Sequence, residues 1–168
     1  MMRLLEPEDY YVSVTDIEAR ELVSRGYRAV LLDFDNTLKP RGNDDVPSEV
    51  IEWIALLEQA GLRVAIITNT NNERVAKVSR QLGLVLVRNA FKPLSGAYVK
   101  ACAFLGVSCR DAVMIGDQSY TDVLGAQAAG MDAILVVPQS SKDPFHTYLL
   151  RCIDRFSVRR MRAKGATR

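Results

Sequence analysis

The segment Arg28-Ala-Val-Leu-Leu-Asp-Phe-Asp-Asn-Thr-Leu38 joins an apolar run of strand length directly to two aspartates, Asp33 and Asp35. A continuous apolar run that ends in turn residues is typical of a strand buried on both faces of a parallel sheet. Residues two apart on an extended chain point the same way, so we expect the two carboxylates to leave the sheet edge together, about 6 to 7 Å apart. Such carboxylates repel each other, and a cation would relieve the repulsion. A plain strand end followed by a turn is the alternative.

Outward from this segment, apolar runs of strand length alternate with helical patterns. The predicted strands are residues 28–34, 62–67, 85–87, 112–115 and 133–137, and the predicted helices are residues 13–25, 47–60, 72–82, 94–105, 121–129 and about 145–162. Residues 4–12 are interpreted as an irregular arm, and Thr15 and Glu18 as the capping box of the first helix. The alternation predicts an α/β protein with a three-layer Rossmann-like fold and a five-stranded parallel sheet, in which ligands bind beyond the carboxyl ends of the strands.

Polar residues follow three later strands at that same edge. They are Thr68 and Asn69 after the second strand, Lys92 beyond the third, and Gly116, Asp117 and Asp122 after the fourth. Taken singly, each has an ordinary explanation as a helix cap, a solvated lysine or a turn. Together they supply what phosphoryl transfer requires: a carboxylate nucleophile, a second carboxyl for proton transfer, a hydroxyl and a lysine for phosphate oxygens, and acids that suit Mg²⁺.

Length and composition are those of one ordinary globular domain, predicted to span residues 1–168. The chain is 48% hydrophobic and 25% charged, which excludes the composition of a disordered protein. Its three cysteines lack metal-ligand spacing and form no disulfide framework, so a reduced, cytoplasmic setting is expected. We find neither a secretory signal nor an apolar run of about 18 residues that could span a membrane.

Charge is distributed unevenly along the chain. The net charge is +2, but residues 151–168 contain seven basic residues and one acid, which gives +6 there and −4 elsewhere. The predicted last helix is basic and amphipathic. It could lie on an anionic membrane, or it could dock its apolar stripe on the sheet and leave a solvated arginine face. The acidic body makes nucleic acid an improbable partner, although the tail could still meet phosphates.

The four polar motifs resemble, in order and spacing, the signature of the haloacid dehalogenase superfamily of phosphatases over residues 28–137. The sequence Asp33-Phe-Asp-Asn-Thr37 is similar to the first motif, Thr68-Asn69 to the second, Lys92 to the third, and Gly116-Asp117 with Asp122 to the fourth. The strings Phe-Lys-Pro, Gly-Asp-Gln-x-x-Thr-Asp and Asp-Pro-Phe-x-Thr further resemble the YqeG-like group of subfamily IIIA. That group includes relatives regarded as phosphatidylglycerophosphate phosphatases.

The resemblance implies a role for each residue. Asp33 would form an aspartyl-phosphate, and Asp35 would protonate the leaving oxygen and then activate water. Thr68, the Asn69 backbone and Lys92 would hold the phosphoryl group. Mg²⁺ would bind the carboxylates of Asp33 and Asp117 and the backbone carbonyl of Asp35, with Asp122 assisting directly or through water.

No cap domain fits between the motifs, so a capless, open site is expected. Such a site suits a lipid headgroup, a nucleic-acid end or a phosphoprotein, unless a neighbouring subunit supplies a lid. The favoured function is a Mg²⁺-dependent phosphomonoesterase that dephosphorylates phosphatidylglycerophosphate, with a small metabolite as another substrate class. A phospho-acceptor signalling module and an RNA-binding assembly factor are the alternatives from other functional classes.

Overall fold

The computed structural model describes residues 5–42 and 45–140. Within them lie the strands β1 (Asp9–Tyr11), β2 (Ala29–Leu32), β3 (Arg63–Ile67), β4 (Val85–Val87), β5 (Ala112–Gly116) and β6 (Asp132–Val136). The α-helices are α1 (Ala19–Ser24), α2 (Ser48–Gln59), α3 (Glu73–Leu82), α4 (Gly96–Leu105) and α5 (Leu124–Ala128). The helix predicted at residues 145–162 and the basic residues of 151–168 lie outside the described ranges.

All strand pairs are parallel, and the sheet order is β1-β6-β5-β2-β3-β4. The central strand β2 consists of four residues that are fully buried. Side chains alternate across a strand, so Val30 and Leu32 join the hydrophobic core on one face while Ala29 and Leu31 join the core on the other. A run that is apolar at every position therefore becomes a strand covered on both faces.

Helices cover the two faces of the sheet. Buried residues of α1, α2 and α3 pack into one core, and those of α4 and α5 pack into the other. The positive φ of Gly83 and of Gly106 ends α3 and α4 in the left-handed conformation that glycine adopts without strain. These layers confirm the predicted three-layer α/β architecture.

The predicted count of five strands is wrong, because the arm of residues 4–12 contains the edge strand β1. Asp9, Tyr10 and Tyr11 pair with Ile134, Leu135 and Val136 of β6. A three-residue strand at a sheet edge carries too short a pattern to be recognised from sequence, and its pairing depends on β6, more than 120 residues away.

The helix predicted over residues 13–25 is in fact two pieces. A 3₁₀ turn spans Val14–Asp16 and α1 follows after a break. The capping box is formed by Ser13 and Asp16 rather than by Thr15 and Glu18, since Ser13 is the residue with extended backbone at the start of the turn.

Each of the two chain connections next to the second motif contains a single helix. The connection from β2 to β3 contains α2, and the connection from β3 to β4 contains α3, and both helices pack on the sheet. Within residues 5–42 and 45–140, therefore, neither connection contains a cap domain over the carboxyl ends of the strands. No helix in the described ranges combines the length and apolarity needed to cross a lipid bilayer.

Candidate active site

Asp33 is the first residue after the central strand. Its backbone NH donates to the Ile115 carbonyl of β5 at 2.9 Å, which continues the sheet by one residue. Its carboxylate is mostly buried and accepts from two side chains, the Lys92 ammonium at Oδ1 (2.5 Å) and the Thr37 hydroxyl at Oδ2 (3.3 Å). Thr37 thus belongs to the site, although the sequence analysis gave it no role beyond the motif.

Asp35 has different surroundings. Its Oδ1 accepts from the Lys39 ammonium at 3.1 Å, and its side chain remains 28% exposed. Lys39 is itself buried, with its ammonium 5.0 Å from the centre of the Phe34 ring. Lys39 was not predicted as a site residue, because a lysine four residues after an aspartate in a turn carries no sequence signal that distinguishes it from a solvated one.

Lys92 joins two acids that are far apart in sequence. Its ammonium lies 2.5 Å from Asp33 Oδ1 and 2.6 Å from Asp122 Oδ1, and all three residues are buried. This placement excludes the alternative of a solvated surface lysine. Burial acts to lower the pKa of Lys92, but Asp122 and Asp33 outweigh it and raise that pKa above its ordinary value. Lys92 is therefore a fixed positive charge at the end of β2.

The surroundings of Asp33 favour the protonated form of its carboxyl group. Burial raises the pKa of Asp33 to about 6, and the neighbouring carboxylates Asp122 and Asp35 act in the same direction, although Lys92 opposes them. A second cation near Asp33 would stabilise its ionised carboxylate.

Asn69 holds the main chain of Lys92. Its Oδ1 accepts from the Lys92 NH at 2.7 Å, and its Nδ2 donates to the Lys92 carbonyl at 3.3 Å. The resemblance gave a role only to the Asn69 backbone, so this reciprocal pair of side-chain bonds is new. Thr68 is buried beside it, and its hydroxyl accepts from the Thr70 NH at 3.2 Å.

The fourth motif turns sharply after β5. Asp122 lies in a π-helical turn, Ser119–Val123, and its Oδ2 accepts from the Gln118 NH at 3.1 Å while its Oδ1 faces Lys92. A Cβ on Gly116 would collide with the Asp122 carboxylate, so only glycine fits at the end of β5.

Tyr98 supports this turn from the neighbouring helix. Its ring is completely buried in α4, and its hydroxyl donates to the Thr121 carbonyl at 2.7 Å. The same ring fills the space that a Cβ on Gly125 would need. Tyr98 thereby fixes the backbone of the turn that carries Asp122.

Three carboxylates of the site suit a divalent cation. Asp33, Asp117 and Asp122 are buried, and each offers an oxygen within 4.8 Å of the others. Two of these acids, Asp33 and Asp122, share the Lys92 ammonium, and hard carboxylate oxygens are the ligands that Mg²⁺ prefers. The carboxylate of Asp35 is not part of this group and accepts from Lys39 instead.

A scan against protein families matches residues 40–130 to the haloacid dehalogenase-like hydrolases. The chain is also 33% identical over 159 residues to the probable phosphatase YqeG of Bacillus subtilis. This match covers 95% of this chain and 92% of that protein. It is 26% identical to the chloroplastic phosphatidylglycerophosphate phosphatase 1 of Chlamydomonas reinhardtii over 90% of this chain, which spans 60% of that longer protein.

Among solved structures, the fold is similar to the cobalt-bound deoxy-D-mannose-octulosonate 8-phosphate phosphatase of Haemophilus influenzae. The TM-score is 0.55, with 16% identity over 80% of this chain and 88% of that one. An uncharacterized protein from Listeria monocytogenes gives a TM-score of 0.54 with 22% identity, over 69% of this chain and 84% of that one. These similarities establish the shared fold.

Proposed function

We propose a mechanism and a substrate class for this chain, which belongs to the haloacid dehalogenase-like hydrolase family and is a phosphatase. The proposed reaction is Mg²⁺-dependent hydrolysis of a phosphomonoester through an aspartyl-phosphate, and the proposed substrate is phosphatidylglycerophosphate. The observation that carries the mechanism is the Lys92 ammonium between Asp33 and Asp122, two acids that also cluster with the Asp117 carboxylate.

In the first proposed step, an oxygen of Asp33 attacks phosphorus and the bond from phosphorus to the ester oxygen breaks. Asp35 donates a proton to that leaving oxygen, which departs as the alcohol. In the second step water attacks the aspartyl-phosphate, Asp35 takes the proton of the water, and phosphate leaves with the Asp33 carboxylate restored. The exposed position of Asp35 suits both transfers, because the alcohol and the water must reach it from solvent.

Positive charge on this side of the sheet would stabilise the transferring group. Lys92 is fixed by its two acids and by Asn69, so its ammonium is already oriented before substrate binds. Thr68 would donate its hydroxyl to a phosphate oxygen. Asp33, Asp117 and Asp122, with the Asp35 carbonyl, would hold Mg²⁺, which when bound neutralises charge on the phosphate oxygens.

The proposed substrate rests on two observations. The relative named as a phosphatidylglycerophosphate phosphatase matches 90% of this chain. The described residues also include no cap over the carboxyl ends of the strands, and an open site accepts a headgroup that is anchored in a bilayer.

The test is phosphate release from phosphatidylglycerophosphate in detergent micelles, compared with nucleotides, sugar phosphates, a phosphopeptide and oligonucleotide ends. We expect turnover that stops with a chelator and returns with Mg²⁺, selectivity for the lipid phosphate, and no turnover by Asp33→Asn. Glu52→Gln, an exposed acid of α2, is the matched control and should keep full activity. Metal-independent turnover by the Asp33→Asn protein would contradict the mechanism.

The same assay separates the alternative classes. A long-lived phosphoprotein that never turns over more than once would instead indicate a phospho-acceptor module. An absence of turnover on every phosphomonoester, combined with salt-sensitive RNA binding, would indicate an assembly factor.

A further inference from the structure

Two exposed apolar side chains flank the buried Lys92. Phe91 is 71% exposed and Leu94 is 66% exposed, whereas Lys92 between them is 8% exposed. The Leu94 NH donates to the Phe91 carbonyl at 3.0 Å, so these residues form one tight turn. The Lys92 ammonium contacts Asp33, whereas the two apolar side chains of the same turn are exposed to solvent.

The backbone of Phe91 is in an unusual conformation for a bulky residue. Its φ is +51°, in the left-handed region that glycine and asparagine adopt more easily. Asn69 holds the next residue in place through both main-chain atoms of Lys92, which keeps Phe91 in this conformation. A large aromatic residue thus occupies a position where the backbone favours a small one and where its ring is mostly exposed, a combination typical of functional surfaces.

Tyr120, 37% exposed, is a third such side chain and lies two residues before Asp122. It lies in the turn Ser119–Val123 that carries Asp122, the second acid of Lys92. The Tyr98 hydroxyl ties the next residue, Thr121, to the helix that follows Leu94. We call Phe91, Leu94 and Tyr120 the apolar rim.

The described structure ends at Ser140, which lies close to the loop that starts with Asp33. The Ser140 hydroxyl lies 2.7 Å from Asn36 Oδ1, and Gln139 Nε2 donates to the Thr37 carbonyl at 2.7 Å. Asn36 and Thr37 belong to the loop that starts with Asp33. Residue 140, the last one described, thus lies beside this loop, and the seven basic residues of 151–168 follow it in the sequence.

We propose that the apolar rim inserts into the surface of an anionic bilayer while residues 151–168 attract that surface electrostatically, so that a lipid phosphate meets Asp33. This inference rests on the proposed lipid substrate. A few apolar side chains or a basic segment alone give weak membrane binding, and the combination of both gives stable binding. The rim residues adjoin Lys92 and Asp122 in the chain, so a second copy of the chain bound on them would compete with the substrate.

The experiment is co-flotation of the full chain with vesicles of phosphatidylcholine, with or without phosphatidylglycerol. We expect binding to the anionic vesicles only, weakened by salt, and reduced about tenfold or more in the variant Phe91→Ala with Leu94→Ala. The matched control is Phe104→Ala, which removes an aromatic residue 60% exposed at the opposite end of α4. That variant should bind vesicles as the original protein does.

Turnover gives a second readout. The ratio of activity on phosphatidylglycerophosphate in vesicles to activity on p-nitrophenyl phosphate should fall in the rim variant and stay constant in Phe104→Ala. Equal flotation of the rim variant and the original protein would overturn the inference. So would equal binding to neutral vesicles, or loss of a dimer in the rim variant measured by sedimentation.

These outcomes are separable from those of the proposed function. Turnover of phosphatidylglycerophosphate in micelles without flotation would contradict membrane binding by the rim and support the proposed substrate. Rim-dependent flotation without turnover of that lipid would contradict the proposed substrate and support membrane binding by the rim.

Discussion

Asp33 and Asp35 follow the end of β2, and each forms an ion pair with a lysine. The two pairs differ in how they are formed. Lys92 reaches Asp33 from 59 residues away, at 2.5 Å, with both side chains nearly enclosed. Lys39 reaches Asp35 from four residues away, at 3.1 Å, with the carboxylate partly in solvent. The first pair is made by the tertiary fold and the second by a single loop.

This difference in burial agrees with the catalytic role proposed for each acid. A nucleophile must be held still and shielded, and only elements from several strands can enclose it. An acid that exchanges protons with a departing alcohol and an incoming water needs access to solvent, and a local loop is sufficient to orient it.

The largest expected effect separates the two acids by their chemistry. Asp33→Asn should lower kcat more than about 10³-fold and prevent any phosphoenzyme, because an amide does not attack phosphorus. Asp35→Asn should lower kcat about 10²-fold to 10⁴-fold, as expected for the loss of a general acid and base. It should still form a phosphoenzyme from an activated aryl phosphate, whose leaving group needs no proton. Rapid-quench labelling with a phosphorus-labelled aryl phosphate measures both, and equal labelling of the two variants would remove the distinction.

The second prediction compares the two lysines by stability. Lys92→Met leaves Asp33 and Asp122 buried without their cation, so we expect a loss of about 3 to 5 kcal/mol in the free energy of unfolding. Lys39→Met leaves a carboxylate that water can reach, and the loss should be about 1 kcal/mol. Urea unfolding in the presence of a chelator measures both. Similar losses would mean that the two pairs contribute alike.

The same contrast explains how much of the site could be predicted. Asp33, Asp35, Asp117 and Asp122 were predicted to lie at one edge, because parallel strands bring their carboxyl ends together. The structure groups the carboxylates of Asp33, Asp117 and Asp122 and leaves that of Asp35 outside the group. The fold class followed from the same alternation of strands and helices. Patterns of this kind depend on each segment's own sequence.

What could not be predicted is the choice of partner. Asn69 selects the main chain of Lys92, and Tyr98 selects the carbonyl of Thr121, each 23 residues away. Many polar atoms lie near a sheet edge, and which of them pair depends on packing that only the assembled layers determine. The edge strand β1 was missed for the same reason, since three residues become a strand only because β6 is beside them.

The third prediction tests whether Lys92 depends on its main-chain support. Asn69→Ala removes both bonds to Lys92, so the ammonium should lose its fixed position while its charge remains. We expect kcat to fall about 10-fold to 100-fold, with a smaller change in KM, because misplacement of a charge affects the transition state most. The matched control is Asn72→Ala, which removes only the cap of α3 and should affect stability rather than kcat. An unchanged kcat in Asn69→Ala would show that the two acids alone position Lys92.

The smallest effect concerns the stability cost of holding Asp33 in this environment. Burial raises the pKa of Asp33 to about 6, above the usual 3.8, so the folded state binds the proton more tightly than the unfolded state does. Without metal, the contribution of this group to stability is therefore full below about pH 4, falls as the pH rises to about 6, and stays at its lower value above that. Asp33→Asn cannot ionise and should escape this loss, so in a chelator it should gain on the order of 1 kcal/mol relative to the original protein between pH 4 and pH 7. Asp35→Asn is the comparison: it removes a carboxylate that helps to raise the pKa of Asp33, so its gain should be smaller than that of Asp33→Asn. Urea unfolding at both pH values measures the difference. A gain of equal size in both variants would place the cost in the crowding of the two acids rather than in the burial of Asp33.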